Sequence, residues 1–279
     1  MNYGRFHFAN SYVTGDRLRQ CCDLRVEAEY SPALKSVPRG ARRIFCKTDY
    51  VDRLFAAMSD YKGECVLVTH DSDFPITERL WVKKPEQIKL WYAINTEIKE
   101  SALIPIPLGC ENKRTPGYSG NMMVLDRVIS RNELKKYLVL INFNARTCVA
   151  EREPILDLFK DVGWTHFVGY GLPFEDCLNT IKASRFVFCP RGNGQCTHRM
   201  WESLYLGSIP IVKRSVHMEG FEGSLPILVV DRWRDVTHEL LDRTWEDYSH
   251  REWNMDKASF PYWRKRIKEG DGIFVKGHR

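Results

Sequence analysis

Short apolar runs recur through the second half of the chain and alternate with segments whose apolar residues have helical spacing. The runs are residues 137–142, 165–170, 186–188, 209–212 and 225–230, and the helical segments are residues 151–159, 174–184 and 198–206. Runs this short that are rich in β-branched and aromatic residues are typical of buried strands. Their regular alternation with helices predicts a parallel sheet with helices on both faces.

The first half of the chain carries a weaker pattern of the same kind. Its predicted strands are residues 26–30, 42–46, 64–69 and 102–106, and helical spacing is found over residues 49–59 and 87–98. We therefore predict an α/β protein with two lobes of similar size and a ligand cleft between them. The predicted boundaries are an N-terminal lobe over residues 1–128, a C-terminal lobe over residues 129–250 and a final helix within residues 251–279 that crosses back to the N-terminal lobe.

Residues 186–212 form the most informative stretch, because they predict a strand, a glycine loop, a short helix and a second strand in close succession. Gly192 and Gly194 allow the loop to turn sharply and to approach a ligand closely. Thr197 is suited to cap the start of the helix, and Gly207 stands where a glycine often follows a helix end. The stretch has neither the Gly-Lys-Ser/Thr of a Walker A loop nor the third glycine of a dinucleotide fingerprint.

The predicted helix has a polar side on which His198, Arg199 and Glu202 lie together, opposite its apolar side. A helix N-terminus exposes N–H groups and a partial positive charge, so it attracts phosphate. A carboxylate one turn further along is placed to accept hydrogen bonds from ribose hydroxyls. One interpretation is therefore a nucleotide diphosphate site, and the other is an ordinary amphipathic helix with a solvated Arg–Glu pair.

A polar cluster follows the predicted strand over residues 64–69, where ligands collect in open α/β sheets. It contains His70, Asp71 and Asp73. The two aspartates have the Asp-x-Asp form of a divalent-metal site. One of the carboxylates is alternatively a general base that removes a proton from a hydroxyl. The third interpretation is a plain turn, in which Asp and Ser side chains bond to local backbone N–H groups.

Two arginines flank the predicted turn between the strand at residues 137–142 and the helix that follows it. Arg146 and Arg152 both carry planar guanidinium groups that can bind phosphate oxygens through two parallel hydrogen bonds. The alternative is that they are surface arginines near a helix start.

Charge and composition narrow the classes of function. The net charge of +6 suits a protein that handles anionic small molecules, and no dense basic block of the kind that nucleic-acid binders carry is found. Nine irregularly spaced cysteines without paired Cys-x-x-Cys units predict buried thiols in a reducing compartment and no zinc site. No secretory leader and no apolar window of membrane-spanning length is found. We expect a soluble, cytoplasmic protein.

The stretch at the centre of the second lobe resembles a known family. Residues 189–194, the triplet Thr197-His198-Arg199, the pair Trp201-Glu202 and residues 206–212 are similar to the signature of the exostosin-like glycosyltransferases. The stretch that contains them, residues 189–212, makes up about a tenth of the chain. The chain resembles a short soluble member of the family, similar to those that large algal viruses encode.

The resemblance implies a fold of the GT-B type, with two Rossmann-like lobes and an inverting transfer of a hexose or pentose from a UDP-sugar to a glycan or glycoprotein. The C-terminal lobe would bind the nucleotide sugar and the N-terminal lobe would face the acceptor. The residues implied at the nucleotide sugar are Arg146, Arg152, Arg191, Gly192, Asn193, Gly194, Thr197, His198, Arg199 and Glu202, with Glu202 at the ribose. UDP-xylose is the favoured donor.

The resemblance also changes which of the three interpretations of the aspartate cluster is favoured. An inverting transfer needs a base beside the acceptor hydroxyl, on the face opposite the departing nucleotide. Asp73 is then the leading candidate, with Asp71 and His70 as alternatives, and no metal or other cofactor is expected. The competing hypotheses are a metal-dependent glycosyltransferase of the GT-A type that uses Asp71 and Asp73, and a non-catalytic nucleotide- or glycan-binding protein.

Overall fold

The protein contains two five-stranded sheets in which every strand is parallel to its neighbours. The computed structural model describes residues 11–27, 34–113 and 121–274. The first sheet consists of β1 (Leu24–Val26), β2 (Arg43–Lys47), β3 (Cys65–His70), β4 (Ile88–Ala93) and β5 (Leu103–Pro105), and the second of β6 (Tyr137–Ile141), β7 (Thr165–Phe167), β8 (Ser184–Phe188), β9 (Ile209–Lys213) and β10 (Leu228–Val230). The prediction of two α/β lobes with Rossmann-like sheets, the arrangement of the GT-B fold, is confirmed.

Ten α-helices connect and cover the strands in the described part of the chain. They are α1 (Gly15–Arg19), α2 (Val51–Ala57), α3 (Glu78–Trp81), α4 (Asn121–Ile129), α5 (Val149–Phe159), α6 (Phe174–Lys182), α7 (His198–Tyr205), α8 (Val216–Glu219), α9 (His238–His250) and α10 (Phe260–Glu269). None of these helices is long and apolar enough to cross a bilayer. All nine cysteines are free thiols, and only Cys148 is not buried.

The strand order of the second sheet locates a ligand-binding edge. The order is β10-β9-β8-β6-β7, so the chain reverses direction across the sheet between β6 and β8. In doubly wound sheets ligands bind outside the carboxyl ends of the strands at this reversal point. The loops that follow β6 and β8 both leave the sheet there, and the second of them is the glycine loop in front of α7.

The segment over residues 87–98 corrects a prediction. Its apolar spacing predicted a helix, but residues 88–93 form β4 between β3 and the edge strand β5 of the first sheet, where Trp91 and Tyr92 are completely buried. Neighbouring positions of a strand face opposite sides of the sheet, and both sides are covered here, so no polar alternation reveals the strand. Asn95, just beyond the strand, has a positive φ of 54° that turns the chain out of the sheet.

The C-terminal segment packs against the first lobe. On α10, the ring of Trp263 meets Tyr92 of β4 edge to face at 6.3 Å, and Tyr92 donates a hydrogen bond to Asp271 at 2.7 Å. A single apolar core includes Val66 and Val68 of the first sheet together with Leu140 of the second. The lobes therefore share a core on one side. The predicted domain boundaries remain predictions.

Candidate active site

A cavity of about 990 Å³ opens between the two lobes. All five strands of the first sheet end at this cavity, and the segments that follow them supply Glu27, Lys47, Asp49, His70, Asp71, Ser72, Asp73, Phe74, Asn95, Leu108, Cys110, Glu111 and Asn112 to its wall. The second lobe supplies Thr147, Gly192, Asn193, Gly194, Cys196, Thr197 and His198. All the carboxylates of the lining therefore belong to the wall of the first lobe, and the glycine loop with the start of α7 forms the opposite wall.

The glycine loop approaches the other lobe more closely than any residue with a side chain allows. A Cβ atom on Gly194 would lie 2.7 Å from the side-chain nitrogen of Asn95. Neither Gly192 nor Gly194 has a positive φ, whereas Gly207 after α7 has a φ of 72°. The prediction for Gly207 is confirmed. Gly192 and Gly194 therefore do not form a left-handed turn. The structural reason for glycine at position 194 is its close contact with Asn95 across the cavity.

Helix α7 begins at the cavity wall, as predicted. Thr197 has the extended conformation of an N-cap residue, with φ −124° and ψ 148°, but its side chain makes no capping hydrogen bond. Trp201 on the apolar side is fully buried, meets Phe221 edge to face at 5.2 Å and donates from its indole nitrogen to the thiol sulfur of Cys196 at 3.0 Å. The helix start is thus held in position by its buried side.

His198, the first residue of α7, joins the two lobes at the floor of the cavity. Its Nδ1 lies 2.7 Å from the carbonyl oxygen of Gly109, and its Nε2 lies 3.1 Å from a carboxylate oxygen of Glu111. Burial lowers the pKa of His198, but the hydrogen bond and charge of Glu111, the Gly109 carbonyl and the charge of Glu202 together raise it above its ordinary value. A protonated His198 places a positive charge beside the start of α7.

The His198–Glu111 pair predicts a pH dependence of stability. Because the pKa of His198 is raised in the folded protein, the pair stabilises the fold fully below the unfolded pKa of about 6.5, and this contribution is lost as the pH rises through the folded pKa. Urea unfolding of wild type and His198→Asn at about pH 5.5 and about pH 8.5 measures it. The variant should lose more stability at the lower pH. Replacement of the exposed His250 is the control, and an equal loss at both pH values would contradict the assignment.

Asp71 is held inside the first lobe. Its φ is 58°, and its Oδ1 lies 2.7 Å from Nδ1 of His70 and accepts a hydrogen bond from the amide of Asn112 at 2.9 Å. His70 is buried, and its Nε2 lies 3.2 Å from the carbonyl oxygen of Pro107. The imidazole and the Asp71 carboxylate therefore form a rigid pair whose Oδ1 and ring nitrogens are engaged by the protein.

Asp73 is exposed at the rim of the same loop and faces the second lobe. Its carboxylate accepts a hydrogen bond from the side-chain amide of Asn193 at 3.2 Å. Asp71 and Asp73 thus have different partners and different exposures. Within the described ranges, no group of three or more His, Cys, Asp and Glu side chains is arranged to hold a metal ion.

Three of the predicted arginines have different surroundings. Arg152 is buried and donates to the carbonyl oxygens of Arg191 at 3.0 Å and Asn144 at 2.7 Å, which ties the loops after β6 and β8 together. Burial lowers its pKa from the ordinary value. Arg191 donates to the carbonyl oxygen of Asn193 at 2.8 Å and lines a separate cavity of about 160 Å³ behind the loop. Arg146 is exposed at the turn after β6. Their binding of phosphate remains a prediction.

Arg199 and Glu202 form a pair along the polar side of α7. A guanidinium nitrogen of Arg199 lies 3.5 Å from the Glu202 carboxylate and 2.6 Å from the thiol sulfur of Cys177, and Glu202 is buried. Burial lowers the pKa of Arg199, but the charge of Glu202 together with the contacts of the Cys177 and Cys189 thiols raises it above its ordinary value. The alternative interpretation of this helix, a solvated Arg–Glu pair, is wrong for Glu202, because its carboxylate is buried.

Two asparagines at the site were missed by the sequence reasoning. Asn112 accepts a hydrogen bond from the N–H of Asp16 at 2.8 Å and donates to Asp71, so it fixes the Asp71 carboxylate to the start of α1. Asn95 bridges the two lobes. The useful signal was the position of Asn95 directly after a strand, and it was hidden because residues 87–98 were predicted to be a helix.

Comparisons with known proteins leave the family open. No protein-family model matches the chain, and no curated protein matches it. The resemblance to the exostosin-like family therefore stays a prediction. One similar solved structure is that of TarM, with 11% sequence identity and a TM-score of 0.36; the match covers 84% of this chain and 53% of that chain. Another is that of the pneumococcal O-GlcNAc transferase GtfA in complex with UDP and GlcNAc, with 8% sequence identity and a TM-score of 0.33; the match covers 84% of this chain and 56% of that chain. The chain spans about half the length of both structures, and at this likeness neither assigns it a function.

Proposed function

We propose that the protein is a glycosyltransferase that moves a sugar from a nucleotide diphosphate donor to a hydroxyl of a glycan acceptor. One observation carries this: the carboxyl ends of both parallel sheets meet at one cavity, with a glycine loop and helix start on one wall and carboxylates on the other. Group transfer between a phosphorylated donor and a hydroxyl acceptor requires both kinds of wall. The first wall stabilises the departing phosphate, and the second removes the proton.

The donor side is the second lobe. The N–H groups at the start of α7 provide partial positive charge toward a diphosphate, and the imidazole of His198, held by Gly109 and Glu111, lies beside them. The backbone of the Gly192–Gly194 loop allows close approach, and Asn193 offers an amide at the cavity wall. We assign the Glu202 carboxylate to hydrogen bonding with the ribose hydroxyls. A guanidinium nitrogen of Arg199 lies 3.5 Å from this carboxylate and balances its charge. The nucleotide is UDP, and UDP-xylose is the donor we favour.

The acceptor side is the first lobe, with Asp73 as the general base. The Asp73 carboxylate is exposed at the rim, whereas Oδ1 of Asp71 is engaged by His70 and Asn112. Asp73 takes the proton of the acceptor hydroxyl as its oxygen bonds to the anomeric carbon. The bond between that carbon and the phosphate oxygen breaks, and its electron pair leaves with UDP. This in-line displacement inverts the anomeric configuration and uses no metal.

Turnover of nucleotide sugars tests the proposal directly. Thermal-shift screening against a panel of nucleotide sugars identifies the donor, because a ligand that binds only the folded state stabilises it. We then expect UDP release in the presence of glycan acceptors, full activity in excess EDTA, and a product of inverted anomeric configuration by NMR.

The alternatives make different predictions for the same experiment. Activity that EDTA abolishes and manganese restores would support a metal-dependent transferase that uses Asp71 and Asp73. Binding of UDP without turnover of any donor in the panel would support a non-catalytic nucleotide- or glycan-binding protein.

A further inference from the structure

Asn95 lies at the cavity, and its side chain makes hydrogen bonds to both lobes. Its Nδ2 donates to the carbonyl oxygen of Ser72 at 3.1 Å, and its Oδ1 accepts from the N–H of Cys196 at 3.0 Å. Ser72 lies between the two aspartates of the first lobe, and Cys196 lies in the glycine loop of the second. One planar amide therefore joins the aspartate loop to the glycine loop, next to the hydrogen bond from Asn193 to Asp73.

The surroundings of Asn95 keep this amide in a single orientation. The residue is 2% exposed and has a φ of 54°, a conformation that asparagine tolerates better than most residues other than glycine. Its own carbonyl oxygen accepts from the N–H of Ile76 at 3.0 Å. Gly194 lies so close that a Cβ there would be 2.7 Å from the Asn95 amide nitrogen. Backbone conformation, burial and the missing side chain at Gly194 all favour the bridging arrangement.

We propose that Asn95 is a positioning residue that holds the aspartate loop in register with the donor loop. This inference rests on the proposed glycosyltransferase function, and it adds a residue that the sequence signature of the site does not contain. Asn95 does not touch the reacting atoms. It acts through Ser72 on the direction of the Asp73 carboxylate and through Cys196 on the glycine loop.

The two hydrogen bonds can be separated by substitution. In Asn95→Asp, a carboxylate oxygen still accepts from the Cys196 N–H, but the donor to Ser72 is replaced by an oxygen that repels the carbonyl. In Asn95→Gly, both bonds are lost while the positive φ becomes favourable, so the backbone is not strained. Glu97→Ala is the matched control, because it removes the neighbouring bond between the lobes, from Gln195 to Glu97 at 3.1 Å, without touching the aspartate loop.

We expect Asn95→Asp to lower kcat by about tenfold to a hundredfold, because a small misplacement of a reacting group has an effect of that size. UDP affinity should stay within about threefold of wild type, since the bond to Cys196 is retained. Asn95→Gly should lower kcat and also accelerate hydrogen exchange of the Cys196 amide. Glu97→Ala should leave kcat within about twofold.

Four outcomes would overturn the inference. They are a kcat of Asn95→Asp close to wild type, a loss of UDP affinity as large as the loss of kcat, unchanged exchange of the Cys196 amide in Asn95→Gly, and an equal loss of kcat in Glu97→Ala. The exchange measurement needs no substrate. If the wild type turns over no nucleotide sugar, the proposed function fails, and amide exchange in Asn95→Gly still decides whether Asn95 fixes the two loops.

Discussion

Asp73→Asn is expected to slow sugar transfer by about 10²–10⁴-fold, the range that a positioned general base contributes. The substitution preserves the size of the side chain and its hydrogen-bonding partner Asn193, but the amide cannot take the proton of the acceptor hydroxyl. Because Asp73 lies on the wall opposite α7, the donor side is unchanged. UDP affinity should therefore remain within about threefold of wild type, so that the loss is confined to kcat.

Measurement of kcat and of UDP affinity on the same preparations checks this expectation. Asp52→Asn is the matched control, because Asp52 is an exposed aspartate of the same lobe that pairs with Lys83 at 2.9 Å, outside the cavity. Asp71→Asn reports on the alternative base. If Asp71→Asn abolishes transfer while Asp73→Asn retains it, the base is Asp71 and the exposed position of Asp73 is not used.

Glu202→Ala is expected to weaken UDP binding by about 1–3 kcal/mol, the free energy of a hydrogen bond to a charged group or of leaving its partner unsatisfied. At about 1.4 kcal/mol for each factor of ten, this is about a fivefold to 150-fold increase in Kd. The carboxylate is buried on α7 one turn from the helix start, so few other groups can replace it. In Glu202→Gln an oxygen still accepts one hydrogen bond, and the loss of affinity should be smaller.

Asp235→Ala separates loss of a ribose contact from loss of an ion pair. Asp235 is also the acidic partner in an i,i+3 pair with an arginine in the second lobe, at 2.9 Å from Arg232. Calorimetric titration with UDP should give wild-type affinity for this control. Thermal unfolding without UDP shows how much of the Glu202 effect is stability. Unaltered UDP affinity in Glu202→Ala would exclude the ribose assignment.

Residues of the site could be predicted where the strand that precedes them was predicted correctly. The alternation of apolar runs over residues 137–230 correctly predicted β6 to β10 and the helices α5 to α7, because buried parallel strands and amphipathic helices leave distinct patterns. The loop and helix over residues 189–206 were located correctly for the same reason. In the first lobe β3 was predicted and β4 was not, since the aromatic residues of β4 are buried on both faces.

The direction of side chains could not be predicted in this way. Arg191 lies in the predicted loop and Arg152 near the start of the predicted helix α5, but hydrogen bonds to backbone carbonyls decide where their guanidinium groups point. Those carbonyls come from residues far apart in the chain, or from turns whose geometry the sequence does not specify. The same holds for the contrast between Asp71 and Asp73, whose partners Asn112 and Asn193 lie on different lobes.

The sequence by itself determined that the protein has two parallel α/β lobes and that residues 186–212 form a strand, a glycine loop, a helix and a second strand, because local periodicity and glycine positions encode them. The tertiary structure alone decided which aspartate is held and which is exposed, that His198 pairs with Glu111, and that Asn95 joins the lobes. These features depend on contacts between residues that are distant in sequence, and no local pattern records such contacts.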